Sequence, residues 1–275
     1  TIGRKKATHT VPDHEQTFVQ IATDPEATNA EVSIIYKHRF RKIKTLDDFR
    51  ARLTHNLYNR MLGRRLSDLT KTANPPFIFG NTSFGADVGD LYTYSSFAYG
   101  DAKDIKRAYQ TLLEENQRVL QFGFTQSELD REKANLLRQS EQAVAEEDKL
   151  ESNRVVGRLI GNFLDENPIP NAAQTMDLYK AMLPTIKVDE ISALAKTWIT
   201  DKSRVILVTG PEKDKELLPD SIELITLLKA STSQKLTPYF DVDLSSPLLP
   251  GVFVPQAVLQ ERYDSTLNVY SWEFV

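Results

Sequence analysis

The chain has 275 residues, with 34 Lys and Arg against 38 Asp and Glu, four His, no Cys and a formal net charge of -4. Without Cys there can be no disulfide framework, no thiolate-held zinc or iron–sulfur centre and no cysteine nucleophile, so a transition metal would have to rest on His and carboxylates. The acidic balance gives no general pull toward nucleic acid, and no apolar run reaches the roughly 18 to 20 residues that span a bilayer.

In chain order, Gln16-Thr17-Phe18-Val19-Gln20-Ile21-Ala22 alternates with period two, and Val32-Ser33-Ile34-Ile35-Tyr36-Lys37-His38 is rich in β-branched and aromatic residues. Both predict strands, with turn chemistry between them at 24–29. Thr45 can cap a helix whose first turn holds Asp47 and Asp48, where carboxylates complement the helix dipole. Its apolar positions, Phe49, Leu53, Leu57, Met61, Leu62, Leu66 and Leu69, form one stripe suited to packing on a sheet. The Asn74-Pro75-Pro76 break stops that helix. Two aromatic-rich stretches follow, 77–84 and 91–99, joined by Gly85 and Gly89-Asp90, which predicts a hairpin with one face on the core.

From Asp101 the pattern turns helical. Ala108, Leu112, Val119 and Leu120 mark one helix, stopped at Gly123. Thr125-Gln126-Ser127-Glu128 is a capping box opening the next, which runs toward Leu150 and reads as a solvated face because charges of both signs recur at i,i+4. A more apolar helix is expected from Val155 to Leu164, then helices over 172–183 and 188–198, then a buried strand at 204–209. Beyond Ser231, with Pro238, Pro247, Pro250 and Pro255, an extended linker is expected, and 270–275 alternates like one strand. Short connections between strands adjacent in sequence favour antiparallel pairing, so the predicted fold class is α+β, a mostly antiparallel sheet backed by helices. The expected organisation is a lead-in over 1–15, one α+β domain over 16–230 and a linker over 231–275 that ends in a strand. The non-Met start and the unfinished final strand give the chain the look of a piece cut from a longer protein.

No motif for chemistry is complete. His9 and His14 lie on an extended stretch, His38 ends a strand and His55 sits within a helix, none at metal-ligand spacing from another. Neither His-Glu-x-x-His nor His-x-x-Glu-His occurs. A Gly-x-Ser-x-Gly elbow and a phosphate loop are absent, and Ser83 between Gly80 and Gly85 reads as part of a hairpin. Glu114-Glu115 and Glu146-Glu147 are expected on solvated helix surfaces. The aromatic set Phe77, Phe79, Phe84, Tyr92, Tyr94, Phe97 and Tyr99 is expected mainly in the core, with any exposed members able to receive peptide. The sequence thus names no catalytic residue and no metal ligand, and it leaves substrate-binding residues unassigned.

A succession of segments resembles a known family. Thr10-Val11-Pro12-Asp13-His14-Glu15-Gln16-Thr17 followed by 22–27, then Asn56-Leu57-Tyr58-Asn59-Arg60-Met61-Leu62-Gly63-Arg64-Arg65-Leu66, then Gly123-Phe124-Thr125-Gln126-Ser127-Glu128-Leu129, then Leu183-Pro184-Thr185-Ile186 and Val205-Ile206-Leu207-Val208, are similar to the second, non-catalytic domain of M16 zinc metallopeptidases. These are the pitrilysin and insulinase group, and bacterial zinc-protease members are the most alike. The resemblance covers about residues 10–230 and is carried by the order of segments, not by one decisive motif; beyond it, 270–275 is similar to the first strand of the family's third domain, so that the linker over 231–275 would end in the first strand of a following domain.

The resemblance implies a LuxS/MPP-like metallohydrolase fold and a parent built from repeated α+β domains around a peptide chamber. Zinc and its catalytic machinery would lie in another domain, so this chain would hold no cofactor and be inactive alone. Its implied partners are the other domains of the same polypeptide and peptide substrate, with no nucleic acid and no membrane span. The bacterial periplasm or cell envelope is the implied compartment. Two alternatives stand beside this reading: a catalytically dead relative acting as an assembly subunit, and an unrelated module that binds a peptide or protein partner.

Overall fold

The computed structural model describes residues 10–39, 44–89, 91–241 and 256–274. His9, Pro247, Pro250, Pro255 and most of the expected lead-in lie outside them. The chain divides into two compact units, Thr1–Phe240 and Asp241–Val275.

The first unit is built on a five-stranded sheet. Its strands are β1 (Phe18–Asp24), β2 (Ala30–Arg39), β3 (Phe79–Ala86), β4 (Leu91–Gly100) and β5 (Arg204–Pro211), in spatial order β1-β5-β2-β4-β3. All pairs are antiparallel except β1 with β5. The expected pairing of the first two strands therefore does not form, because β5 lies between them. The physical reason is its composition: Val205, Ile206, Leu207 and Val208 form an apolar run that gains most from a central position, with neighbours on both edges. A parallel partner needs a long crossover, which the helices between β4 and β5 provide.

Helix α1 (Leu46–Leu69) starts on a capping box in which Thr45 and Asp48 each satisfy a free backbone amide, and Asp47 joins Asp48 in the first turn. Helices α2 (Ile105–Phe122), α3 (Gln126–Ala145), α4 (Ser152–Asp165), α5 (Ala172–Met182) and α6 (Val188–Trp198) follow. A seventh helix, α7 (Ser221–Ser233), was not expected from the sequence. It opens on a capping box of Asp220 and Glu223 and buries Leu224 and Leu228.

The core gathers Val32, Ile34 and Tyr36 of β2, Tyr94 and Ala98 of β4, and Ile206 and Val208 of β5 against Leu57, Met61 and Leu62 of α1 and Leu112 of α2. Full burial of such side chains contributes about 1.5–3 kcal/mol each. The aromatic heart of this layer is Trp198, stacked on Phe84 at 4.4 Å and tilted against Tyr94 at 5.2 Å.

Two expectations about charge are corrected. Helix α3 is not simply a solvated face: Glu128 and Glu132 are buried, paired with Arg65 at 2.6 Å and Arg60 at 3.0 Å. Glu115 is likewise buried, against Arg118 at 3.0 Å. For Glu128 and Glu132 the i,i+4 pattern records charges along one helix but not the cations presented by α1, whereas Glu115 is buried with a cation of its own helix.

In the second unit, β6 (Val258–Asp264) and β7 (Val269–Phe274) form an antiparallel hairpin with Tyr263 and Tyr270 at 4.6 Å. The strand expected at the end of the chain thus has a preceding partner within the stretch read as linker. Among the described residues, no helix is long and apolar enough to cross a membrane.

Candidate functional site

Because side chains alternate along a strand, the sheet has two distinct faces. Ile34, Tyr36, Tyr94, Ala98, Ile206 and Val208 point to the helices and are buried. Their sequence neighbours form the opposite face, where Ile35, Phe97, Val205 and Leu207 are half-buried. Phe18, Phe79 and Tyr99 on this face are 52%, 40% and 36% exposed.

The strand register fixes how these residues adjoin. Phe18 pairs with Val205, which pairs with Ile35, which pairs with Ser95. One row over, Gln20, Leu207, Ser33 and Phe97 are aligned. Phe79 is directly opposite Tyr99, their rings 5.4 Å apart, and Phe97 lies 6.1 Å from Phe79. On this face the charges stand near the strand ends, Asp24 and Glu31 toward one side and Lys37 and Arg39 toward the other, so the middle is neutral. Such a surface can hold peptide side chains by apolar contact, without selecting one charge.

The aromatic candidates therefore separate. Phe79, Phe97 and Tyr99 reach the open face, whereas Phe77, Phe84 and Tyr94 turn into the core and Tyr92 is half-buried. Tyr94 donates to Asn116 Oδ1 at 2.6 Å, and burial drives its phenol pKa well above the usual value. Ser83 lies exposed within β3, paired in register with Ser95 of β4. Glu146 is exposed, and Glu147 accepts from the Ala172 amide at 2.9 Å.

The histidines do not converge. His14 stacks on Phe18 at 4.0 Å, His38 lies 3.0 Å from the Trp198 carbonyl, and His55 packs edge-on between Phe84 and Trp198. Burial lowers the His38 pKa, against the Trp198 carbonyl, and pushes His55 down to about 4. Among the described residues no group of three or more His, Asp or Glu could hold a metal. These side chains do not offer a zinc ligand set.

No protein-family model matches the chain. A zinc protease PQQL-like from Arabidopsis thaliana is 26% identical over 202 residues, 74% of this chain and 18% of that protein. The periplasmic protease PqqL from Escherichia coli superposes with a TM-score of 0.78 at 16% identity, over 94% of this chain and 29% of its own. The fold is that of M16-type protease domains, and the sequence holds no His-x-x-Glu-His motif. A peptidase M16 inactive domain from Pseudomonas fluorescens has the same fold, with a TM-score of 0.53, 16% identity and coverage of 76% of this chain and 47% of its own. The chain spans less than a fifth of the Arabidopsis relative it matches. What sequence reasoning missed was which side of the hairpin stays open; strand alternation separates the faces, but only the helix positions decide which one is covered.

Proposed function

We propose that this chain is a non-catalytic domain of a larger M16-like zinc peptidase, where it forms part of the wall of a peptide chamber and packs on the catalytic domain. The observation that carries the reading is the one-sided sheet: helices cover one face, and the other presents a neutral, partly apolar surface centred on Ile35, Phe97, Leu207 and Val205. A wall of this kind suits unfolded peptide of varied sequence, because apolar contact is non-directional. Zinc, when bound in the parent, would polarise the scissile carbonyl in another domain, and this chain would confine and orient the peptide.

Packing against neighbouring domains is supported by helix α4, whose Val155, Val156, Leu159, Ile160, Phe163 and Leu164 are all exposed. Contiguous apolar surface of that size marks an interaction site. The PqqL structure is that of a periplasmic protease, and the same compartment is proposed here; recovery of the parent with cytosolic markers on fractionation contradicts it.

The test is photo-crosslinking in the full-length parent. A photoreactive residue at Phe97 should capture a fluorescent peptide substrate, and one at exposed Lys229 on α7 should not. Equal capture at both positions, or none at Phe97, removes the wall assignment.

A further inference from the structure

Helix α4 is placed with its polarity reversed. Its Arg154, Gly157, Arg158 and Gly161 line a groove against α3 and α5, while its apolar residues point the other way. It is anchored by polar contacts: Arg158 donates to the Pro170 carbonyl, and Asn162 donates to the Asn167 carbonyl at 2.7 Å. The helix is therefore not held down by its own hydrophobic side, and the space beneath it stays open.

That groove has a volume of about 900 Å³, within the range of clefts that take ligands. Its floor includes Leu136 and Ala143 of α3, Tyr179 of α5 and Ile169. A Cβ at Gly157 would meet no atom within 4 Å, so the roof there is bare backbone over free volume. Three arginines, Arg52, Arg154 and Arg158, line it against a single carboxylate, Glu146.

We propose that this groove binds an extended acidic peptide segment, its apolar side chains on the floor and its carboxylates against Arg154 and Arg158. Arginine suits the task, since its planar fork matches a carboxylate. An anionic bilayer is the poorer occupant, because a broad surface would also have to meet Glu147, Asp148 and Glu151 before α4 and Glu166 after it, none of which lines the groove that a peptide would occupy. The site is separate from the open sheet face and does not depend on the chamber reading.

Fluorescence anisotropy on the intact chain tests it, using a labelled decapeptide of alternating Glu and Leu and a matched Lys and Leu control. The acidic peptide should bind saturably, and binding should weaken by about tenfold or more in Arg154→Glu/Arg158→Glu and in Gly157→Leu, which fills the groove without removing charge. Arg158→Glu also removes the contact with the Pro170 carbonyl, and Gly157→Leu, which leaves that contact in place, separates blocking of the groove from its loss; all three residues are exposed, so circular dichroism of both variants should match the parent chain. Absence of saturable binding, equal binding of the basic control, or affinity unchanged in the two variants overturns the proposal. Co-sedimentation with anionic vesicles that the charge reversal abolishes would also overturn it, by assigning the arginines to lipid.

Discussion

The buried pair of Arg65 and Glu128 joins α1 to the start of α3, and its disruption has a calculable cost. Both side chains are 1% exposed, and the guanidinium donates to the carboxylate through two contacts, at 2.6 and 2.8 Å. Glu128 also accepts from the Thr125 amide at 2.8 Å and the Thr125 hydroxyl at 3.0 Å, so it closes the α3 capping box as well. Arg65 donates to the Gly123 carbonyl at 3.2 Å and lies over the rings of Phe124 and Tyr239 at 4.9 and 4.2 Å. Removing one partner of a buried pair costs about 3–5 kcal/mol, since the other charge is left in the interior. Arg65→Met leaves a carboxylate that still has two donors and a helix N-terminus, so its cost should fall near the lower figure. Glu128→Gln leaves the guanidinium without a counter-ion, with only the Gln amide oxygen, one backbone carbonyl and two rings, and should fall nearer the upper figure. In the double variant neither charge remains, and the total should lie below the sum of the singles by about 2–3 kcal/mol. Urea unfolding of the chain, followed by circular dichroism with the slope m unchanged, measures each term. Singles that each cost below about 1 kcal/mol, the range of exposed pairs, or costs that add to within about 0.5 kcal/mol, refute the reasoning.

Gly123→Ala should destabilise by roughly 2–4 kcal/mol, because Gly123 has φ +70 and ψ -158 and a Cβ there would lie 2.7 Å from Ser192 Oγ; calorimetry finding no loss contradicts the assigned backbone. His55 is held neutral by burial, its pKa lowered to about 4. Since the unfolded imidazole takes up a proton near pH 6.5, the folded state should lose up to about 2 kcal/mol as pH falls from 6.5 to 4, after allowance for partial exposure. His55→Gln should flatten that part of the stability profile, and parallel profiles would rule the histidine out as its source. Phe163, 86% exposed on α4, should be replaceable by Ser within about 0.5 kcal/mol; a loss above about 2 kcal/mol would show that α4 packs within this chain.

What was legible in the sequence was local. Thr45 with Asp47 and Asp48, and Thr125 with Glu128, mark helix starts because capping needs only neighbouring residues. The hairpin of β3 and β4 was legible for the same reason. Strand order was not: β5 sits between β1 and β2 through contacts nearly two hundred residues apart in the chain, which no local period encodes. Helix α7 carried a signal, the Asp220 and Glu223 box with Leu224 and Leu228 behind it, that the neighbouring loop residues obscured. Apolar composition predicted α4 as a helix but not its exposure, since burial depends on what stands opposite. The open face was half legible: alternation separates Tyr94 from Phe97 and Tyr99, yet only the packed helices show that Tyr94 is the inner one.

In the proposed role this chain supplies wall and not chemistry. The most direct measurement combines zinc content by mass spectrometry with hydrolysis of a quenched fluorescent peptide by the purified chain, with and without chelator. Stoichiometric zinc should be absent, and hydrolysis should not rise above that of a mock purification. Chelator-sensitive cleavage that co-purifies with the chain and scales with bound zinc would contradict it.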